Sequence, residues 1–257
     1  MDHSEVALVT GAGSGIGRAT AEIFVERGYR VVGLDLTEDS MSWMKDHPRS
    51  GSFVALAGDV STEEANIGAV NTAVEVFGQL DVSVLNAGIA NGLHWDDPAA
   101  MERFERVMSV NVTGVVHGIN QASKVMVPRK KGAILVTAST SGLRGDPGNF
   151  AYNASKAAVI NIVRAAACDF GAHNVRVNAV APGPVETGIT AGLNAVPEMK
   201  EAMARRIPLR RWGQPRELAE AFYFLASPAA SFITGATLMC DGGHSAHAAH
   251  FDLDRKR

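Results

Sequence analysis

Short apolar segments alternate with amphipathic segments along most of the 257-residue chain. The apolar segments have the length of strands buried on both faces of a sheet. Strands that alternate with helices indicate a parallel sheet with helices on both faces. We therefore predict an α/β fold of about seven parallel strands in a single domain over 1–257. The predicted strands are Val6–Thr10, Arg30–Leu34, Phe53–Ala57, Asp81–Leu85, Gly132–Ala138, Val175–Val180 and Thr237–Cys240.

The amphipathic segments between these strands predict the helices. Ser61 or Thr62, with Glu64 after them, provides an N-cap signal for one helix. A glycine at Gly28 marks the end of another. The predicted helices are 18–27, one from 61 or 62 through 77, 101–127 and 152–170.

A glycine-rich turn follows the first strand. Gly11, Gly15 and Gly17 permit a tight turn, let the backbone approach a pyrophosphate, and direct a helix N-terminus at its charge. The turn lies between a predicted strand and a predicted helix, and an acid, Asp35, follows the next strand. This context indicates a dinucleotide site, whereas a tight turn without a ligand is the alternative.

The carboxylate of Asp35 bears on which dinucleotide is bound. It can accept hydrogen bonds from both ribose hydroxyls of an adenosine and would repel a 2′-phosphate. Ser14, Leu36 and Thr37 provide no basic side chain for such a phosphate. We therefore favour NAD over NADP, with a solvated carboxylate at a strand end as the alternative for Asp35.

The segment from Val136 to Lys156 begins as a buried strand, becomes a loop rich in Gly and Pro, and ends as a helix. Tyr152 and Lys156 are four residues apart and share one helix face, and Ser139 lies where the strand ends. A hydroxyl, a phenol and an ammonium group together suit proton transfer at an oxygen. Alternatively, Ser139 only caps the strand end and a neighbouring hydroxyl is the donor, or the Tyr–Lys pair is solvated.

A series of motifs follows in order along the chain: Thr10-Gly-x-x-x-Gly-Ile-Gly17, Asp59-Val60, Asn86-Ala-Gly88, Asn111, Ser139, Tyr152-x-x-x-Lys156 and Pro182-Gly-Pro-Val-x-Thr187. In this order they resemble those of the classical short-chain dehydrogenases/reductases. The resemblance spans Val6 to Gly243 and implies a Rossmann-type doubly wound sheet, a nicotinamide cofactor, and oxidation of alcohols or reduction of carbonyls. It also implies a homotetramer or a dimer.

The resemblance also implies roles for individual residues. Ser139, Tyr152 and Lys156 would be catalytic, and Asn111 would hold a water in the proton relay. Leu85, in place of a frequent Asn, and the neutral Ser14 are mild departures. The implied cofactor-binding residues are Gly11, Ser14, Gly15, Ile16, Gly17, Asp35, Leu36, Asp59, Val60, Asn86, Ala87, Gly88, Tyr152, Lys156, Pro182, Gly183, Val185 and Thr187.

A tyrosine base at neutral pH has an energetic requirement. A free phenol titrates near ~10, so ionisation at pH 7 requires roughly 4 kcal/mol. One cation about 6 Å away, at an effective dielectric constant near 20, supplies roughly 2.8 kcal/mol. Lys156 alone is therefore insufficient, and we expect the positive nicotinamide ring to supply the remainder.

The substrate side carries weaker signals. We predict a mobile flap at about 187–212, in which Gly188, Gly192 and Pro197 break regular structure over an apolar pocket. Its methionines pack a surface helix in the alternative interpretation. The arginines at 205, 206, 210 and 211 either attract an anionic substrate or form a solvated or subunit-contact face. The candidate substrate residues are Leu93, Leu143, Asn149, Phe150 and Leu193.

Composition narrows the class of protein. A hydrophobic fraction of 46% and a net charge of -3 give no basic footprint for nucleic acid. No apolar run reaches the ~18 residues that cross a bilayer, and no signal region precedes the first strand. Cys168 and Cys240 are expected to be buried thiols in a reducing compartment. We therefore predict a cytoplasmic protein.

The tail, about 244–257, contains His244, His247 and His250. No Cys or carboxylate cluster completes a metal site, so we predict no metal and a tail that frays or packs on a neighbouring subunit.

The leading hypothesis is therefore an NAD-dependent oxidoreductase that transfers a hydride between the cofactor and an apolar or cyclic secondary alcohol or ketone. The second is an NADPH-dependent reductase of ketones or 3-oxoacyl thioesters, against which Asp35 argues. The third is a non-catalytic dinucleotide sensor, which need not keep Ser139, Tyr152 and Lys156. The expected partners are a small-molecule substrate and other copies of the chain.

Overall fold

A computed structural model describes residues 4–90, 92 and 94–246, and its centre is a parallel sheet of seven strands. Their order is β3-β2-β1-β4-β5-β6-β7, so the chain winds outward from β1 in one direction and then from β4 in the other. The predicted doubly wound, Rossmann-type fold is confirmed. The strands are β1 Val6–Thr10, β2 Arg30–Asp35, β3 Phe53–Ala57, β4 Val82–Leu85, β5 Gly132–Thr137, β6 Val175–Pro182 and β7 Thr237–Cys240.

Helices cover both faces of the sheet. The N-cap predicted at Ser61 or Thr62 is Thr62, whose side chain accepts from Ala65 N. The predicted helix 101–127 contains one π-helical turn, Ser109–Thr113. The helices are α1 Gly15–Glu26, α2 Trp43–Asp46, α3 Glu63–Phe77, α4 Ala100–Met108, α5 Gly114–Arg129, α6 Phe150–Phe170, α7 Ala191–Asn194, α8 Pro197–Arg206 and α9 Pro215–Ala226.

Two helices near the C-terminal end differ from the prediction. Pro197 begins α8 instead of breaking it, because the first helical turn needs no N–H from that residue. The helix α9 lies outside the predicted helices, although Gln214 and Glu217 form a capping box at its start with Pro215 between them.

The core consists of two apolar layers separated by the sheet. Alternate residues of β1 point to opposite faces, so Val6 and Leu8 contact one layer and Ala7 and Val9 the other. The first layer includes side chains of α3, α5 and α6, and the second includes those of α1 and α9. All five residues of β1 are buried. The carboxyl ends of these buried strands are therefore a rigid edge on which a site can be built.

The prediction of two buried thiols is wrong, since neither thiol is fully buried. Cys168 is exposed because it lies on the side of α6 that faces away from the sheet, and Cys240 is half-buried. Both thiols are free.

Within the described ranges, no helix has the length and apolar character needed to span a membrane. The same residues contain no group of three or more His, Cys, Asp or Glu side chains that could hold a metal ion. His244 is described, whereas His247 and His250 lie outside the described residues.

Candidate active site

A cleft runs along the carboxyl ends of the central strands, on both sides of the point where the strand order reverses. Ligands bind at this position in open α/β sheets. Every predicted cofactor-binding residue except Gly17 lies on its wall. Three of the four predicted catalytic residues, Ser139, Tyr152 and Lys156, lie on the same wall.

The glycine turn forms one end of the cleft. Gly11 has a φ of +68°, and its N–H donates to Leu34 O at 2.8 Å. Gly17 packs under this turn so closely that an added Cβ would lie 2.0 Å from the Gly11 carbonyl oxygen. The N-cap residue of α1, Ser14, makes no side-chain capping bond. The first-turn N–H groups of α1 are therefore available to an anion in the cleft.

Asp35 is held by main-chain groups. Its Oδ2 accepts from Gly13 N at 2.8 Å and its Oδ1 from Leu36 N at 2.7 Å. Each oxygen keeps a lone pair for another donor. Gly13 is a residue that the sequence analysis missed, since its role depends on Asp35 approaching it: an added Cβ would lie 2.8 Å from Oδ2.

The end of β4 is fixed between its two neighbouring strands. Thr10 Oγ1 accepts from Asn86 N at 2.9 Å and from Ala87 N at 3.0 Å. On the other side, Thr137 Oγ1 donates to Asn86 Oδ1 at 2.9 Å. The segment Asn86–Gly88 is thus held as part of the cleft wall by hydrogen bonds from both flanking strands.

Asp59 lies further along the same wall and pairs with Arg106. Arg106 Nη2 is 2.9 Å from Asp59 Oδ2, and the Ser61 hydroxyl donates to Oδ1. Burial alone raises the pKa of Asp59, but the hydrogen bonds from Ser61 and Arg106 outweigh it and hold the pKa below its usual value. Arg106 also lines the cleft, and no signal in the sequence near Asp59 points to it.

Ser139, Tyr152 and Lys156 meet at the opposite end. Ser139 Oγ accepts from Ser141 N at 3.1 Å, so it caps the short turn Thr140–Gly142 and also faces Tyr152. Burial raises the pKa of Tyr152, the hydrogen bond with Ser139 lowers it, and the charge of Asp146 raises it further. In the protein alone the phenol is therefore a proton donor at neutral pH.

Lys156 lies beneath Tyr152. Its Nζ is 5.5 Å from the centre of the Tyr152 ring and donates to Thr137 O at 2.7 Å. Burial lowers the pKa of Lys156 to about 8, so the ammonium group stays mostly charged at pH 7. Two further N–H donors of this group remain for other partners.

Asn111 lies in the π-helical turn and is completely buried. Its Nδ2 donates to Ile89 O at 2.9 Å and to Ser155 Oγ at 3.0 Å, and its Oδ1 accepts from Ile89 N at 2.9 Å. The side chain therefore ties the loop after β4 to α6. Its role in holding a water stays a prediction.

Three predicted substrate residues, Leu143, Asn149 and Phe150, are not among the residues that line the cleft. Leu143 and Asn149 belong to the loop between Ser139 and Tyr152, and Leu143 is exposed. Phe150 stacks on Trp95 with ring centres 4.1 Å apart. Leu93 lies outside the described residues, and Leu193 lies in α7 but its side chain is outside them too.

Trp95 is a further residue that the sequence analysis missed. It lies in the loop after β4, and 81% of it is exposed. Phe104 of α4 lies on the same aromatic group, 6.2 Å from Phe150. The three rings form an apolar wall, which we call the aromatic stack, next to the loop that carries the proton-transfer groups.

The predicted flap contains more regular structure than expected. Gly188 and Ile189, in the turn before α7, line the cleft. Lys200 Nζ lies 2.6 Å from Glu186 Oε1, and Trp212 Nε1 donates to Lys200 O at 3.1 Å, so the flap is tied to its own base. Its mobility stays a prediction.

Two of the four arginines of the flap face acidic partners. Arg205 lies 2.7 Å from Glu201, and Arg211 lies 2.5 Å from Glu217. Arg210 Nη1 donates to Arg205 O. Ion pairs therefore account for Arg205 and Arg211, in agreement with the solvated-face interpretation.

Residues 11–245 match the model of the family described as Enoyl-(Acyl carrier protein) reductase. The chain is 42% identical over 247 residues to cis-4-hydroxycyclohexanecarboxylate dehydrogenase of Sinomonas cyclohexanicum, covering 94% of this chain and 96% of the relative. It is 36% identical over 254 residues to 2-(R)-hydroxypropyl-CoM dehydrogenase of Xanthobacter autotrophicus, covering 95% and 99%.

Solved structures share the whole fold. The 3-ketoacyl-(acyl-carrier-protein) reductase from Brucella melitensis complexed with NADH superposes with a TM-score of 0.87 at 34% identity, covering 94% of this chain and 98% of that one. ElxO with NADP bound superposes with a TM-score of 0.88 at 29% identity, covering 95% and 100%. Both nicotinamide cofactors thus occur among its structural neighbours.

Proposed function

Because the chain belongs to the short-chain dehydrogenase/reductase family and is an oxidoreductase that uses a nicotinamide cofactor, we propose that it oxidises a cyclic or otherwise apolar secondary alcohol with NAD. One observation carries the proposal. Ser139, Tyr152 and Lys156 lie on the wall of the same cleft as the glycine turn and Asp35. Proton-transfer groups therefore face the place where the hydride acceptor binds.

The cleft has the parts that a dinucleotide requires. The close packing of Gly17 under Gly11 leaves backbone exposed for a pyrophosphate, and the first turn of α1 points its N–H groups at it. Asp35 provides two carboxylate oxygens for ribose hydroxyls. When bound, the nicotinamide supplies the site that accepts or donates a hydride.

The choice of NAD rests on charge. Among the cleft-lining residues in the described ranges, the basic side chains are Arg106, which pairs with Asp59, and Lys156, which lies at the opposite end. No basic side chain of this lining lies next to Asp35, whose carboxylate disfavours a second negative charge. These observations support NAD over NADP for this chain.

The protein groups handle the proton. Tyr152 accepts the proton of the alcohol in oxidation and returns it in reduction. Ser139 donates a hydrogen bond to the same substrate oxygen and so holds it against the phenol. Lys156, positively charged and about 5.5 Å from the Tyr152 ring centre, lowers the cost of ionising the phenol when the site is filled.

The aromatic stack supports a ring-shaped or apolar substrate. Trp95 and Phe150 offer flat apolar surface next to the loop that carries Ser139. The Sinomonas relative is named for a ring that carries a secondary hydroxyl. Homotetrameric assembly and a cytoplasmic location remain predictions.

The proposal is tested by following NADH absorbance over a panel of cyclic and open-chain secondary alcohols and the matching ketones, with NADP(H) run in parallel. We expect turnover with a cyclic alcohol and NAD, and a lower kcat/KM with NADP. Preference for NADPH and 3-oxoacyl thioesters would favour the reductase alternative. Tight NAD binding without turnover on any substrate would favour the sensor.

A further inference from the structure

The loop between Ser139 and Tyr152 contains a carboxylate that none of the proposed roles uses. Asp146 Oδ2 accepts from Ser141 Oγ at 2.5 Å, and its Oδ1 accepts from Arg144 Nε at 3.0 Å. Its backbone oxygen accepts from Asn153 Nδ2 at 3.0 Å. One residue therefore holds the start of the loop, through Ser141, and the start of α6, through Asn153.

The contact with Ser141 leads directly to the proton-transfer groups. The Ser141 N–H donates to Ser139 Oγ at 3.1 Å while the Ser141 hydroxyl is fixed by Asp146. A serine hydroxyl has a single proton. Since Ser139 Oγ already accepts from an amide, that proton is free to point at the phenol or at a substrate oxygen. The orientation of Ser139 thus depends on where Ser141 is held.

Building on the proposed function, we propose that Asp146 is a positioning residue for proton transfer: by holding the Ser141 hydroxyl it fixes the Ser141 amide that orients Ser139 beside Tyr152. Asp146 is not among the residues that line the cleft. It is half-buried, and the Arg144 guanidinium and the Ser141 hydroxyl hold its carboxylate in one position.

Other charged groups face this carboxylate from neighbouring segments. Arg144 Nη1 lies 3.3 Å from His244 Nε2. Burial is the largest cause that lowers the pKa of His244, and the charges of Arg144 and Arg206 lower it further. The charges of Asp241 and Asp146 raise it. At neutral pH the imidazole is therefore uncharged, and Arg144 is the cation in direct contact with Asp146. The negative charge of Asp146 also raises the pKa of Tyr152.

Two pairs of variants of the full chain separate position from charge. Asp146→Asn keeps one oxygen that can accept from Ser141, and it removes the negative charge together with the oxygen that accepts from Arg144 Nε. Ser141→Ala removes the hydroxyl but keeps the amide that reaches Ser139, and Ser141→Thr restores a hydroxyl. The matched control is Asp169→Asn, an exposed aspartate on the same helix as Tyr152 and roughly 25 Å further along it.

The first readout is the pH profile of kcat/KM for alcohol oxidation. For Asp146→Asn we expect the limb that reports the base to shift to lower pH, because a negative charge that disfavours the phenolate is gone. We expect Ser141→Ala to lower kcat about tenfold, the effect of one lost positioning hydrogen bond, and Ser141→Thr to recover most of it. Asp169→Asn should match the unmodified protein.

The second readout needs no turnover, so it separates failure of this inference from failure of the proposed function. The chain has three tyrosines, and NMR of protein labelled at the tyrosine ring carbon that bears the hydroxyl follows each phenol, with Tyr152→Phe assigning the signal. We expect Tyr152 to titrate at lower pH in Asp146→Asn than in Asp169→Asn. Three results together would overturn the inference. The midpoints of Tyr152 would be equal, or neither protein would show its ionisation before unfolding. The pH profiles would be unchanged, and Ser141→Ala would have a normal kcat.

Discussion

The two halves of the cleft are built in different ways. In the cofactor half, hydrogen bonds from buried strand ends and main-chain N–H groups hold the wall of the cleft, as at Asp35 and at the end of β4. In the proposed substrate half, Trp95 of an exposed loop stacks on Phe150 at the start of α6, and Phe104 of α4 lies beside them. We therefore expect the class of reaction to depend on the rigid half, and the choice of substrate to depend on side chains that can change without disturbing the sheet.

The largest expected effect tests whether the two halves of the cleft act independently. Tyr152→Phe removes the acid/base group at their junction while the glycine turn and Asp35 remain intact. We expect kcat to fall about 10³-fold with NAD binding nearly unchanged, as measured by NADH absorbance and by titration of tryptophan fluorescence. Tyr223→Phe on α9 is the matched control and should retain turnover. Retained turnover in Tyr152→Phe would remove that residue from the chemistry.

The cofactor half is tested at Asp35. Asp35→Ala removes the carboxylate proposed to bind the ribose hydroxyls, so kcat/KM with NAD should fall about 100-fold, the cost of two charge-assisted hydrogen bonds. With NADP it should fall less or rise, because the repulsion of a 2′-phosphate is gone. Glu38→Gln, an exposed neighbour, should change neither value. An unchanged ratio of the two cofactors would contradict the role of Asp35.

The substrate half is tested at Trp95. Trp95→Ala removes one ring of the aromatic stack, and we expect KM for a cyclic alcohol to rise about tenfold while the affinity for NAD stays the same. Trp43 stacks under Arg18 and donates from Nε1 to Ala12 O in the glycine turn, so Trp43→Phe is the comparison variant in the cofactor half and should leave KM for the alcohol unchanged. A change in NAD affinity without a change in KM would show that the halves are not separate at this residue.

The smallest expected effect concerns the base of the flap. Arg211 holds the pKa of Glu217 at about 2, with a backbone hydrogen bond from Gln214 in the same direction. Since this pKa lies below its usual value, the stabilisation is complete above pH ~4.5 and is lost as the pH falls towards 2. The pair is exposed, so Glu217→Gln should lower Tm at pH 7 by only about 2 °C and have no effect near pH 2. A larger difference in Tm near pH 2 than at pH 7 would contradict this pH dependence of the stabilisation.

The same division explains what the sequence predicts. Strand ends, the glycine turn and Asp35 follow from short-range patterns, and the structure places all of them along one cleft. Gly13, Arg106 and Trp95 gain their positions from contacts between distant segments, which no local pattern encodes. The prediction of a buried Cys168 thiol is wrong for a related reason, since an apolar helix sequence does not show which of its positions face the sheet.

The fate of the hydrogen on the alcohol carbon most directly tests whether a hydride is transferred to the cofactor. A cyclic secondary alcohol with deuterium at its carbinol carbon is oxidised in ordinary water with NAD, and the reduced cofactor is analysed by mass spectrometry. We expect the deuterium to be recovered in the reduced cofactor, with none in the solvent, and Tyr152→Phe to form almost no product. Deuterium released to water, or undiminished product from Tyr152→Phe, would contradict hydride transfer coupled to a tyrosine base.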